Sequence, residues 1–230
     1  MVTIVAEADL VSQVYPLLEA RTRLKEVLKE RFDVHGAQLF DLTLRDKASG
    51  EVFEVKWDGE MKVTMDTFRD LGGAFIAALV LIFLLMVVYY KSFAIAGIIL
   101  LGSFLSIIGV IVGHFVMDIF SRGTFFLTAT SLIGFISLMG ISSRNSLLLI
   151  DFSMALMRQG VEKKKAIAQA ASTRAKPIFL TAAAIILAST LLASDPIFGG
   201  LGVALIFGTI AAVIVSLIVV PVLMDNTKAI

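Results

Sequence analysis

Two charged residues, Arg144 and Asp151, lie seven positions apart in an apolar run bounded by Arg122 and Arg158. No other full charge falls between those arginines. An ionised group at the centre of a membrane-spanning helix costs about 2.5–3.5 kcal/mol on insertion scales. Such a residue persists where it meets a partner or lines an ion path. The chemistry open to the pair is charge compensation during proton or ion movement. Thr130, Ser137, Arg144 and Asp151 recur every seven residues. That step drifts by only about 20° around a helix, so the four are expected on nearly one face. Asn145, with Ser142 and Ser143, is expected to widen this face into a polar stripe. The midpoint of the run is near Gly140. At the helical rise per residue, Arg144 lies about 6 Å from it and Asp151 about 16 Å. The two are then about 10 Å apart along the axis, too far for a direct ion pair. Arg144 therefore needs an acceptor from another helix. No other apolar stretch of the sequence offers a carboxylate at that depth.

The elements that must hold this pair are membrane helices. The chain has 230 residues, 58% hydrophobic and 17% charged, with mean hydropathy +0.92, which places it among membrane proteins. Five spans are predicted, over about 66–90, 93–117, 124–157, 177–193 and 200–223, within a membrane domain of residues 66–230. The first contains Leu71–Tyr90, 20 residues without a charge, long enough for about 30 Å of hydrocarbon. Tyr89-Tyr90-Lys91 reads as an interfacial end. In the second span, Gly102, Ser106, Gly109 and Gly113 form a small-residue stripe suited to close helix packing. His114 reads as a boundary residue at a loop edge rather than a ligand. A charged, alanine-rich segment over 161–173 is predicted to be a separate surface helix, with Pro177 starting the fourth span.

Ahead of the spans lies a different composition. Residues 1–70 hold 10 Lys/Arg and 14 Asp/Glu, a net of −4, while residues 71–230 hold 10 and 5, a net of +5. The near-neutral total gives no argument for nucleic-acid binding. Met1–Ala6 reads as a strand and Leu17–Phe32 as an amphipathic helix ended by His35-Gly36. Alternating Phe40–Arg45 and Phe53–Asp58 read as a hairpin across the turn DKASGE. The order β-α-β-β over residues 1–65 is that of a partial α+β ferredoxin-like subdomain. At this size it would be marginal alone. Cysteine is absent, which removes disulfides and thiolate metal sites. No nucleophile–base set, phosphate-cradling glycine loop or zinc spacing occurs, so the reading is a non-enzyme with no catalytic residues, metal or cofactor. Lys91, Arg158, Lys163, Lys164, Lys165, Arg174, Lys176 and Lys228 fall on one side of the spans and Arg122 on the other. The positive-inside rule makes the first side, with the C-terminus, cytoplasmic and puts the acidic module outside. No signal peptide precedes that module. The expectation is a chain that continues something upstream, as a fragment or as one half of a split protein.

Several longer motifs share one resemblance. GISSRNSLLLIDF (Gly140–Phe152) and STRAKPIFLTAAA (Ser172–Ala184) resemble the second half of a resistance–nodulation–division (RND) efflux permease of the AcrB-like kind. VKWDGE with FRDLG, FFLTATSLIGFISL and SDPIFGGLGVALIFG are similar to the same family, so the resemblance covers essentially the whole chain. It implies the end of the second periplasmic porter region followed by the last five of twelve spans. It further implies proton-driven export of small molecules across a bacterial inner membrane, powered by the proton motive force. The implied relay residues are Arg144 with Asn145, and, further along the chain, Arg174 and Thr181. The implied partners are an N-terminal permease half, a homotrimeric assembly, a periplasmic adaptor and an outer-membrane channel. The best-studied relatives have lysine where this chain has Arg144. Arginine stays protonated, so it suits a fixed counter-charge and not a proton carrier. Two other readings stand beside this one. The first is a truncated or regulatory membrane subunit without transport. The second is a relative serving protein export or lipid transport.

Overall fold

The computed structural model describes residues 14–36, 41–121, 125 and 127–227. The chain divides into two compact units, residues 1–69 and 70–230. The first contains α1 (Val14–Leu28), β1 (Phe32–Gly36), β2 (Leu42–Asp46) and β3 (Val52–Val55). The strands form an antiparallel sheet in the order β1-β2-β3. Val34 stands opposite Leu44, and Leu44 opposite Phe53. The central strand supplies the core through Leu42 and Leu44, both buried. Asp46 shapes the β2–β3 turn. Its Oδ1 accepts the Ala48 N–H at 2.8 Å, and Gly50 takes the left-handed φ of 72° that the turn requires. That backbone bond, foremost, holds the Asp46 carboxyl below its ordinary range.

The hairpin lies where the alternation places it, but His35-Gly36 does not end a helix. Both residues belong to β1, and α1 has already stopped at Leu28. FDVHG has only two alternating apolar residues, and pairing with β2 makes it a strand. The expected strand Met1–Ala6 lies outside the described residues, as do Arg122 and Lys228.

The second unit holds the apolar helices. α2 (Glu60–Tyr90) runs into it from the first unit, followed by α3 (Phe93–Phe120), α4 (Ala129–Arg158) and α5 (Lys163–Ala193). Next come α6 (Gly199–Ile214), a π-helical turn (Val215–Val219) and α7 (Val220–Asn226). The last three continue one another, giving, among the described residues, five helices long and apolar enough to cross a membrane. α3, α4 and α6 pack most closely. Contacts of Gly134 with Ala204 and of Gly208 with Leu138 show that α4 and α6 run parallel. Ser103 beside Ser143 and His114 beside Ser131 show that α3 and α4 run antiparallel. Gly102, Gly109 and Gly113 all face the α6–α7 stretch, touching Val220, Ala211 and Phe207. Ser106 turns to α4 instead.

The surface helix and the fourth span are one helix, contrary to the sequence expectation. α5 passes through Pro177 without a break. A proline in a helix removes one backbone bond, a loss that membrane helices tolerate when neighbours anchor both sides. Here Ala166 and Ala170 pack with Leu156 before the proline, and Ile178 and Ala182 pack with Val213 after it. At Pro221 the chain responds differently. The π turn widens the backbone around Leu217, whose carbonyl the Pro221 ring would meet in a regular helix.

The connections are specified locally. α4 begins with a capping box between Thr128 and Ser131. It ends at Gly160, φ 90°, where Gly160 N–H reaches Met157 O and Val161 N–H reaches Leu156 O, a Schellman motif. Between α5 and α6, Asp195 Oδ1 accepts the Ile197 and Phe198 N–H groups at 2.8 and 2.9 Å. These bonds, Phe198 first, lower the Asp195 pKa from its ordinary 3.8. A lowered carboxylate stabilises the fold above its unfolded value, and that contribution disappears as pH falls through the folded value. Asp195→Ala is therefore expected to lower the melting temperature of the detergent-solubilised protein at neutral pH. The difference from wild type should begin to shrink as pH falls below the ordinary 3.8 and vanish below the lower value of the folded carboxylate. A constant difference down to pH 2–3 would show that the two bonds do not carry the effect.

Candidate functional site on the outward face of α4

Arg144 lies half-way along α4, with 15 helical residues before it and 14 after. It is more central than the sequence midpoint implied, because the helix starts at Ala129 rather than near Thr124. Its side chain is exposed, on the face turned away from α3 and α6. Ile133, Ser137, Gly140 and Leu148 are exposed along the same side, and Asp151 is half-buried there. Their spacing of four, three, four, four and three positions is that of one helix stripe. Among the described residues, no hydrogen bond or ion pair reaches the Arg144 guanidinium. A permanent charge at mid-helix is left open on a face with no covering element.

The rest of the expected polar stripe lies elsewhere. Ser142, Ser143 and Asn145 are buried. Successive helical residues turn by about 100°, so sequence neighbours of Arg144 point to other sides. Ser143 shares a hydrogen bond with Ser103 at 2.8 Å, and Ser142 shares one with Ser106 at 2.8 Å. Ser103 and Ser106 also donate back to Ile99 O and Gly102 O. These hydroxyls join α3 to α4 behind the arginine. Hydrogen bonds between membrane helices average about 0.6 kcal/mol. Ser142→Ala is accordingly expected to cost about that much in unfolding free energy and to leave the Arg144 face intact. A loss several times larger would mark the hydroxyl pair as a main determinant of the packing.

His114 also differs from expectation. It is not at a loop edge but inside α3, 6% exposed. Nδ1 lies 2.9 Å from Val110 O, so that nitrogen must carry the proton it donates. Nε2 lies 2.8 Å from Ser131 Oγ, the side chain that also accepts the Thr128 N–H at 3.2 Å. The ring ties the end of α3 to the cap of α4.

The candidates on α5 do not meet Arg144. Thr181 Oγ1 donates to Pro177 O and Ile178 O within its own helix. Arg174 stacks over the Phe152 ring, 5.1 Å from its centroid, with its Nε buried and unpartnered. Thr130 Oγ1 donates to Ile197 O at the opposite end of α4. Asp151 Oδ1 accepts a hydrogen bond from Tyr90 Oη at 2.8 Å. The sequence marked Tyr90 only as an interfacial aromatic. Nothing in its spacing pointed to a partner on α4, 61 positions away. Among the described residues no group of three metal-ligating side chains comes together.

The site therefore consists of a fixed positive charge, an open helix face and two anchors beyond it on α4, Asp151 bonded to Tyr90 of α2 and Phe152 under Arg174 of α5. This arrangement can compensate an acid brought to the face. Residues 47–225 match the AcrB/AcrD/AcrF family. The chain is 34% identical over 166 residues to the swarming motility protein SwrC of Bacillus subtilis (strain 168), across 70% of this chain and 15% of that protein. It thus spans a small part of the length of this relative. With more than half of its residues inside the family match, the chain belongs to the AcrB/AcrD/AcrF family of RND permeases.

Proposed function

We propose that this chain forms the Arg144-bearing side of a proton path in an RND transporter that exports small molecules. The observation that carries the proposal is the exposed, unpaired Arg144 at the middle of α4. Left against lipid, that charge would cost several kcal/mol. Facing helices that carry carboxylates, it is offset. Because arginine keeps its proton, Arg144 acts as a constant counter-charge. The protons are carried by acids on the opposing helices, in a part of the transporter upstream of this sequence. Arg174 and Thr181 belong to the same relay through α5, and Asn145 supports α4 from its buried side.

In this reading the end of the bundle bearing Lys91, Arg158 and Lys163–Lys165 is cytoplasmic, and the small sheet module is periplasmic. The transporter sits in the inner membrane as a trimer and works with an adaptor and an outer-membrane channel. The direct test reconstitutes the transporter containing this chain into liposomes and imposes a pH gradient. Dye export should follow the gradient and stop when a protonophore collapses it. Export that persists without a gradient would remove the proton-driven reading.

A further inference from the structure

α2 is the least embedded of the five long helices. Only 6% of its apolar window is buried, against 50% for α3 and 56% for α4. What holds it lies mainly at its C-terminal end. Met86 is buried there with Ile95, Ile99, Leu149 and Ile150, and Val87 and Tyr90 pack beside it. A second contact, the edge of Phe75 against Phe135 at 6.4 Å, lies further back along the helix. The C-terminal end is also bonded to α4 through the Tyr90 hydroxyl. Tyr90 Oη donates to Asp151 Oδ1 at 2.8 Å and lies 3.5 Å from Leu147 O. The end of α2 has little slack. Lys91 follows in a left-handed conformation, φ 52°, and Ser92 already caps α3 by accepting the Ile95 N–H. Asp151 is in turn fixed to Arg144 by two turns of the same helix, and its neighbour Phe152 sits under Arg174.

From this geometry we infer that Tyr90 and Asp151 are a pair of positioning residues that couple α4 to α2. A displacement of α4, when the charge opposite Arg144 changes, is transmitted through the Tyr90–Asp151 bond to the end of α2. α2 is the helix that continues directly from the sheet module, so the movement enters the element leading to that module. The inference rests on the counter-charge reading of Arg144. It adds a role for two residues joined by a hydrogen bond between α2 and α4. A merely interfacial Tyr90 would need its ring and not its hydroxyl. The pair needs the hydroxyl and an acceptor at position 151, and not the negative charge itself.

The test is dye export by the complete transporter containing this chain, with each variant matched to wild type for membrane abundance. Tyr90→Phe and Asp151→Ala should each lower the maximal rate by about tenfold, the effect of about 1.4 kcal/mol. KM should stay unchanged. The double variant should be no slower than either single one, because the two share one interaction. Asp151→Asn keeps an acceptor and should recover most of the rate. Wild-type export by Tyr90→Phe overturns the inference, as does additive loss in the double variant. If Asp151→Ala fails to accumulate, Tyr90→Phe with Asp151→Asn decides alone. Arg144→Ala measured alongside separates the two claims. Lost export there with full export by Tyr90→Phe removes only the coupling pair, whereas full export by Arg144→Ala removes the reading beneath it.

Discussion

Arg144→Ala is expected to abolish proton-driven export while leaving α4 inserted and the bundle folded. Removing one member of a buried ion pair strands the other at about 3–5 kcal/mol. In a rate, that is a factor of more than about a hundred. The fold should be spared because the side chain is exposed on α4 and, among the described residues, no hydrogen bond or ion pair reaches it. Export at fixed abundance is the measurement, and undiminished export would remove the counter-charge role. Arg144→Lys makes the account sharper. Lysine keeps the charge at neutral pH, so export should persist there. Unlike arginine, a lysine in a dry site can lose its proton. The lysine variant should therefore fail as pH rises, at values where the arginine protein still works. Loss at all pH values would assign the function to guanidinium geometry rather than to charge.

The second large effect concerns the seam that places α4. A Cβ on Gly109 would lie 2.7 Å from Phe207 O and closer still to Ala211 Cβ. One of these obstacles is backbone, which cannot turn aside. Gly109→Val should force α3 and α6 apart, costing at least about 1–3 kcal/mol, the usual range for overpacking. The expected readout is lower membrane abundance and a lower unfolding temperature in detergent. Gly97→Ala is the control on the same helix. Nothing lies within 4 Å of a Cβ there, so the change should be neutral or stabilising by up to about 1 kcal/mol. Equal stability of Gly109→Val and wild type would mean that the glycines of α3 do not set its approach to α6.

The membrane helices were legible because hydropathy sums over some twenty residues, so no single side chain decides a span. Arg144 was legible for the opposite reason, as one charge where the sum forbids it. Legibility failed where the answer depended on direction. Ser142, Ser143 and Asn145 stood beside Arg144 in sequence and turned out on buried sides of α4. Pro177 signalled a helix start, yet packing by Ala170 before it and Ile178 after it carries α5 through. His114 resembled a boundary residue because its distance from Asp118 is short in sequence, while its ring bonds back into the bundle. β1 is five residues long with two apolar positions, too little pattern to outweigh the helix before it. The Tyr90–Asp151 bond joins residues whose separation carries no period at all.

In the working transporter, the Arg144 face of α4 is expected to be covered by protein. The chain has no cysteine, so nitroxide labels can be placed one at a time by Ser137→Cys, Gly140→Cys and Leu148→Cys. The measurement is the oxygen accessibility of each label by electron paramagnetic resonance, with the complete transporter in liposomes. The account predicts low accessibility at all three positions. Accessibility as high as that of a label on a free, lipid-facing membrane helix would contradict it.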